Sequence, residues 1–211
     1  MPLFRDGLGA APAWCELSAF EILRLPAGAR HAFAPSGHKE RLLVASGACR
    51  LALGGEEVEV TAGTKHELPE PGAPAAVVAT REPTTVVRLC GTWGEETGGW
   101  GLFRVEEVAD PVERGDPVDY PKRTNLDNHY HDCDEYCIIL AGRGTVVSEG
   151  RRYEVGPGDC VATRRGDHHD FPLAPEPVTA VFFETTLRGR RRRGHLWEHT
   201  HGPAEPHPER R

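Results

Sequence analysis

Residues 128–144 read NHYHDCDEYCIILAGRG, and the reading of this stretch decides the fold. Alternate residues of a β-strand share a face, so His129 and His131 present their imidazoles to one side. Asp132, Cys133 and Asp134 supply a short turn into the neighbouring strand. Glu135 enters that strand beside the histidines, Cys137 and Ile139 follow on its face, and Gly142 is expected to close the hairpin. One hairpin cannot surround an ion, so a further ligand must come from another strand. The stretch RRGDHHDF at 164–171 offers it, after the Gly158–Asp159 turn. Imidazoles with one carboxylate, and room left for water, suit Fe, Mn, Ni, Co or Zn rather than Ca or Mg. Structural zinc would call for cysteines at finger-like spacing, and the six cysteines here are scattered.

Outward from this stretch the chain is a series of short apolar runs punctuated by Gly and Pro. FEILRLPAG, RLLVASG, CRLALGG, TTVVRLCG, GTVVSEG, RYEVGPGD and VTAVFFET are examples. Runs this short with turns this frequent predict antiparallel strands closing into a sandwich or barrel. The runs also repeat. One constant shift lays Glu40 on Glu135, Gly47 on Gly142, Gly55 on Gly150, Glu59 on Glu154, Val60 on Val155 and Gly63 on Gly158. A fixed period with matched turn glycines marks an internal duplication, hence two homologous β-barrels with a boundary near GTWGEETGGWG.

The 211 residues suffice for two small cores. With 25 basic and 32 acidic residues the surface is mildly acidic, so neither nucleic acid nor an anionic membrane is an expected partner. The apolar runs are too short to span a bilayer, and no secretion signal opens the chain. A reduced, cytoplasmic protein is expected. After residue 188 the composition changes to an Arg/His/Pro-rich tail, read as a solvated segment. Its HLWEH portion has an aromatic anchor for folding back, and Arg190–Arg193 form a basic run.

The second half resembles a cupin. The first cupin motif runs H-x-H, three or four residues, E, six residues, G, and His129, His131, Glu135 and Gly142 stand at those positions. The second motif runs P-x-G, two residues, H. Arg164, Gly166 and His169 match it, with arginine in place of proline. The resemblance makes His169 the fourth ligand and leaves His168 outside the first ring of contacts. It implies an all-β fold of two tandem cupin-type barrels (double-stranded β-helix, or jelly roll) with few short helices. Residues 1–98 would form a barrel lacking metal histidines, 99–188 the metal-binding barrel, and 189–211 the tail. In the first barrel Ala34 and Ser36 replace the paired histidines, alanine replaces the fourth ligand, and only Glu40 remains. One carboxylate cannot hold a transition metal against water. That barrel is therefore read as metal-free, packing against its partner, building a homodimer interface or capping the second pocket.

Cupins include isomerases, epimerases, decarboxylases, lyases, dioxygenases and metal-binding proteins without a known reaction, so the fold does not choose among them. Asp167, His168 and Asp170 flank the ion and are candidates for acid–base work. Arg123, Asn125, Arg164, Cys137 and Phe171 are candidates for substrate contacts, the arginines for an anionic group. This polar set points to metal-assisted isomerisation of a small oxygenated metabolite, such as a sugar, sugar phosphate or keto acid. An Fe(II) dioxygenase is the runner-up, and a non-enzymatic ligand-binding cupin is the third reading.

Overall fold

A computed structural model describes residues 3–5, 7–8, 11–34, 36–53, 55–68, 75–79, 82–111, 115–188 and 193–194. These residues form strands, turns and bends. No helix among them is long and apolar enough to cross a membrane. The tail lies outside the described residues apart from Arg193–Gly194, whose backbone pairs with Tyr130–His131.

The strands gather into two compact units, divided between Trp93 and Gly94. In the first unit, one sheet orders the strands Gly7–Leu8, Leu17–Leu25, Thr84–Gly91, Lys39–Ser46 and Lys65–Glu67. A second sheet orders Arg30–Phe33, Ala75–Ala79, Ala48–Leu53 and Glu56–Thr61. Side chains alternate across each strand, so the inner faces supply a continuous core that includes Leu42, Val44, Leu51, Val77 and Val86.

In the second unit the strand Glu135–Ser148 is central. It pairs with His169–Glu184 on one side, and with Asp159–Thr163 and then Arg151–Val155 on the other. Trp100–Val105 extends the sheet beyond His169–Glu184. The far edge is Leu3–Arg5, paired antiparallel with Asp159–Val161. The start of the chain, assigned to the first barrel on sequence, thus contributes a strand to the second unit, and the division falls at 93/94 where 98/99 was expected.

Gly142 does not close a hairpin. The strand runs through it, with register shifts on both sides against His169–Glu184, and the turn at Glu149–Gly150 closes the hairpin to Arg151–Val155. The glycine is needed because its φ is 80° and an added Cβ would run into the carbonyl of Pro177. Gly47 has φ 76° and approaches the carbonyl of Pro83 in the same way. The repeated glycine therefore marks one close backbone contact built twice, a bulge that bends each barrel wall. Gly142→Ala should lower the stability of the second unit by about 2–3 kcal/mol. A urea midpoint equal to that of the unmodified protein would contradict this assignment.

Candidate metal centre

Strand register builds the site in rows. Glu135 stands opposite Thr163 on one neighbour and Glu184 on the other. Two residues along, on the same face, Cys137 stands between Val161 and Phe182. The first row is polar and the second almost wholly apolar. His129 and His169 complete the polar end, joined by an isolated bridge in which each backbone N–H donates to the other residue's carbonyl. His131 follows from the short strand Tyr130–His131.

The four side chains meet. His131 Nε2 lies 2.8 Å and His169 Nε2 2.6 Å from Glu135 Oε2, and His129 Nε2 lies 3.1 Å from His131 Nε2. One donor atom from each of the four falls within 4.8 Å of the others. The outer ring nitrogens are held from behind. His129 Nδ1 is 2.9 Å from the carbonyl of Asp127, and His169 Nδ1 is 3.2 Å from that of Asp167. A carbonyl can only accept, so Nδ1 carries the proton in both rings and the Nε2 lone pair faces inward. His131 Nδ1 has Glu184 Oε1 at 3.8 Å.

In this geometry the four side chains direct their donor atoms to one point, where Glu135 and the imidazoles act on one another's charge. Short as the Glu135–His169 contact is, it lacks hydrogen-bond direction, and Glu135 Oε2 and His169 Nε2 are buried atoms without a hydrogen-bond partner. Burial raises the Glu135 pKa, but the facing His131 and His169 outweigh it and hold the carboxyl well below the usual range. Burial, with repulsion from His169 and His131, drives the His129 pKa well down. Burial also opposes charge on His169, yet Glu135 outweighs it and raises the pKa. Three nitrogen donors and one carboxylate oxygen, converging and desolvated, fit a divalent transition metal. A second group, His131, Cys133 and Glu184, is also close enough to share an ion. Burial and the adjacent Glu184 and Glu135 push the Cys133 thiol far up, so it remains a poor ligand.

The donor set sits at one end of a cavity of about 610 Å³. Its other walls are Phe103, Leu126, Cys137, Val146, Val161, Phe171 and Phe182, with Thr163 and the carboxylates Asp127, Asp170 and Glu184. Among the described residues no lysine or arginine lines it. Of the residues expected to touch substrate, Cys137 and Phe171 are on the wall, whereas Arg123, Asn125 and Arg164 are not. Arg123 is exposed, with Glu107 at 3.6 Å, while its backbone N–H donates to the carbonyl of Pro172.

The acid–base candidates also change position. Asp167 is fully buried and off the wall, contributing its carbonyl to His169. His168 turns to Asp116 Oδ2 at 2.6 Å and Glu149 Oε1 at 3.7 Å, since it points to the opposite side of the strand from His169. Asp170 lines the cavity but is fully engaged. Lys122 Nζ lies 2.9 Å from its Oδ2, Tyr120 donates to Oδ2 at 3.1 Å, and the Phe171 N–H donates to Oδ1 at 2.7 Å. This buried pair fastens the segment that carries Leu126 and Asp127 onto the start of the His169 strand. Glu184, absent from the sequence-based list, belongs to the site. Buried beside His131, it accepts from the Gly99 N–H at 2.6 Å.

An all-β barrel with three imidazoles and a carboxylate at one end of an apolar cavity defines a class, and the comparisons agree with it. The family described as "Cupin domain" matches residues 118–184, and the chain belongs to the cupin superfamily. It is 44% identical over 210 residues to the uncharacterized protein y4oW of Sinorhizobium fredii (strain NBRC 101917 / NGR234), covering 100% of this chain and 96% of that one. Solved structures share the fold alone. AerE from Microcystis aeruginosa aligns with TM-score 0.57 at 11% identity, over 79% of this chain and 86% of its own. Oxalate decarboxylase from Bacillus subtilis, studied for its Mn(II) centres, aligns with TM-score 0.58 at 12% identity, over 84% and 70%.

Metal affinity should fall as pH drops through the raised His169 pKa, above the ordinary value of 6.5, because the proton must leave before the nitrogen can coordinate. A Co(II) titration at several pH values reads this directly. Affinity unchanged between pH 8 and pH 6 would contradict the assignment of His169. His131→Ala should weaken binding by about 100-fold or more.

Proposed function

We propose that His129, His131, Glu135 and His169 hold one divalent transition metal, and that the chain is an enzyme oxidising a small, largely apolar molecule with dioxygen. The observation that supports this reading is the cavity wall, whose described residues beyond the metal ligands are largely aromatic and aliphatic and include no lysine or arginine. An anionic sugar phosphate or keto acid would meet Asp127 and Glu184 there, with no arginine among the described wall residues to compensate. A hydroxylated ring or a neutral diketone would bury its body against Phe103, Phe171 and Phe182 and offer an oxygen toward the histidine end. The volume of about 610 Å³ suits a small molecule of this kind.

A bound metal supplies Lewis acidity and, if it is iron, activation of dioxygen. The chain's own residues orient and desolvate. The row Val161, Cys137 and Phe182 places apolar surface beside the ligands, and Lys122, paired with Asp170, also holds the segment of Leu126 in the wall. Burial and Glu135 hold the Cys137 thiol neutral, so it acts as a wall and not as a nucleophile. Metal-assisted isomerisation of a neutral carbonyl compound is the second reading, favoured by Asp127 and Glu184, which line the same cavity and can carry a proton. With six cysteines to keep reduced, we place the protein in the cytoplasm.

Iron-loaded protein should consume oxygen in step with the loss of a catechol, diketone or small thiol from a test panel. His131→Ala should lower that rate at least about 100-fold. Deuterium uptake from solvent without oxygen consumption would favour isomerisation. Saturable binding with neither would leave a non-enzymatic carrier.

A further inference from the structure

The first barrel keeps the glutamate of the metal motif and buries it. Glu40 is 2% exposed, and a carboxylate cannot remain ionised there without a cation. In the repeat, the positions of His129, His131 and Glu135 are held by Ala34, Ser36 and Glu40. Arg88 reaches into this group from the strand Thr84–Gly91. Its Nε donates to Glu40 Oε2 at 2.7 Å, its Nη2 to the carbonyl of Ala34 at 2.8 Å, and its Nη1 to Glu21 Oε2 at 3.0 Å. Ser36 completes the set, its hydroxyl donating to Glu40 Oε1 at 2.5 Å. The guanidinium is 4.8 Å from the Phe33 ring, and Arg88 is buried.

Register identifies the origin of Arg88. It stands opposite Leu42, two residues beyond Glu40, while Phe182 stands opposite Cys137, two residues beyond Glu135. Arg88 and Phe182 are thus the same position of the two barrels. In one it is the wall of an open cavity. In the other it is a long cationic side chain lying back onto the glutamate.

We propose that the Arg88 guanidinium fills in the first barrel the place that the second barrel keeps for a metal ion, so that the first barrel carries its own permanent cation. The exchange accounts for the loss of the histidines. A guanidinium needs oxygen acceptors in its plane, and the Ala34 carbonyl with the Glu40 and Glu21 carboxylates supplies them, where imidazole lone pairs suited to a metal would not. Glu40 is held below the ordinary carboxylate pKa despite its burial, through Arg88 and Ser36, so the pair stays ionised in the neutral range.

The inference rests on the metal reading of the second barrel, and the test separates the two. Hydrogen exchange is measured by peptide on the full chain with Co(II) and with chelator. In the unmodified protein, chelator should speed exchange at least tenfold in 129–184 and leave 39–46 and 84–91 unchanged. Arg88→Met should speed exchange in 39–46 and 84–91 at least tenfold with or without metal, and Arg88→Lys should recover part of the protection. Phe182→Arg should transplant the device, with Co(II) uptake falling at least tenfold and 135–148 staying protected in chelator. Absence of Co(II) uptake by the unmodified protein refutes the metal reading, and is seen before any variant is made. Full uptake by Phe182→Arg, or unchanged exchange in Arg88→Met, overturns the inference itself.

Discussion

A desolvated carboxylate at the inner end of a β-barrel must be neutralised, and most of what is distinctive in this chain follows from that constraint. Glu135 is fixed by strand pairing between Thr163 and Glu184 and cannot swing out to water. Three imidazoles face it, two with their proton-bearing nitrogens anchored to the backbone carbonyls of Asp127 and Asp167. With the imidazoles deprotonated, donor atoms arranged in this way are balanced by a positive charge placed among them. Beyond it lies the cavity of about 610 Å³ with its largely apolar wall.

The duplicated barrel meets the same constraint with different chemistry. Glu40 is buried as well, and the charge comes from a side chain two residues along the facing face of the neighbouring strand. A guanidinium neutralises the carboxylate permanently but fills the space a ligand would need. A metal leaves coordination positions open and requires the cavity to stay open as well. The choice of Arg or Phe at one register position thus separates a closed core from a candidate reaction site.

The cluster of His129, His131, Glu135 and His169 was legible in the sequence because every part of it is local or periodic. His129 and His131 share a face by the two-residue strand repeat, and His169 falls on the inner side once that alternation is applied. The duplication was legible through its glycines, although the role of Gly142 was misread. A positive φ looks the same in sequence whether it turns a hairpin or seats a bulge against Pro177. The cavity wall was not legible. Phe103, Val146, Val161 and Phe182 come from four separate strands and become neighbours only through register. Arg123 and Arg164 lie near the cluster in sequence, so their charges suggested an anionic substrate, but they are not among the described residues of the cavity wall. Arg88 was missed for the same reason, as its partners Ala34 and Glu40 lie about fifty residues away in the chain.

The most direct measurement is anomalous scattering from crystals of protein grown in the presence of Co(II), collected at the metal edge. The account predicts one peak per chain, among His129, His131, Glu135 and His169, and none beside Glu40, where Arg88 should be seen on the carboxylate. A peak beside Glu40, or none among the three histidines, would contradict it.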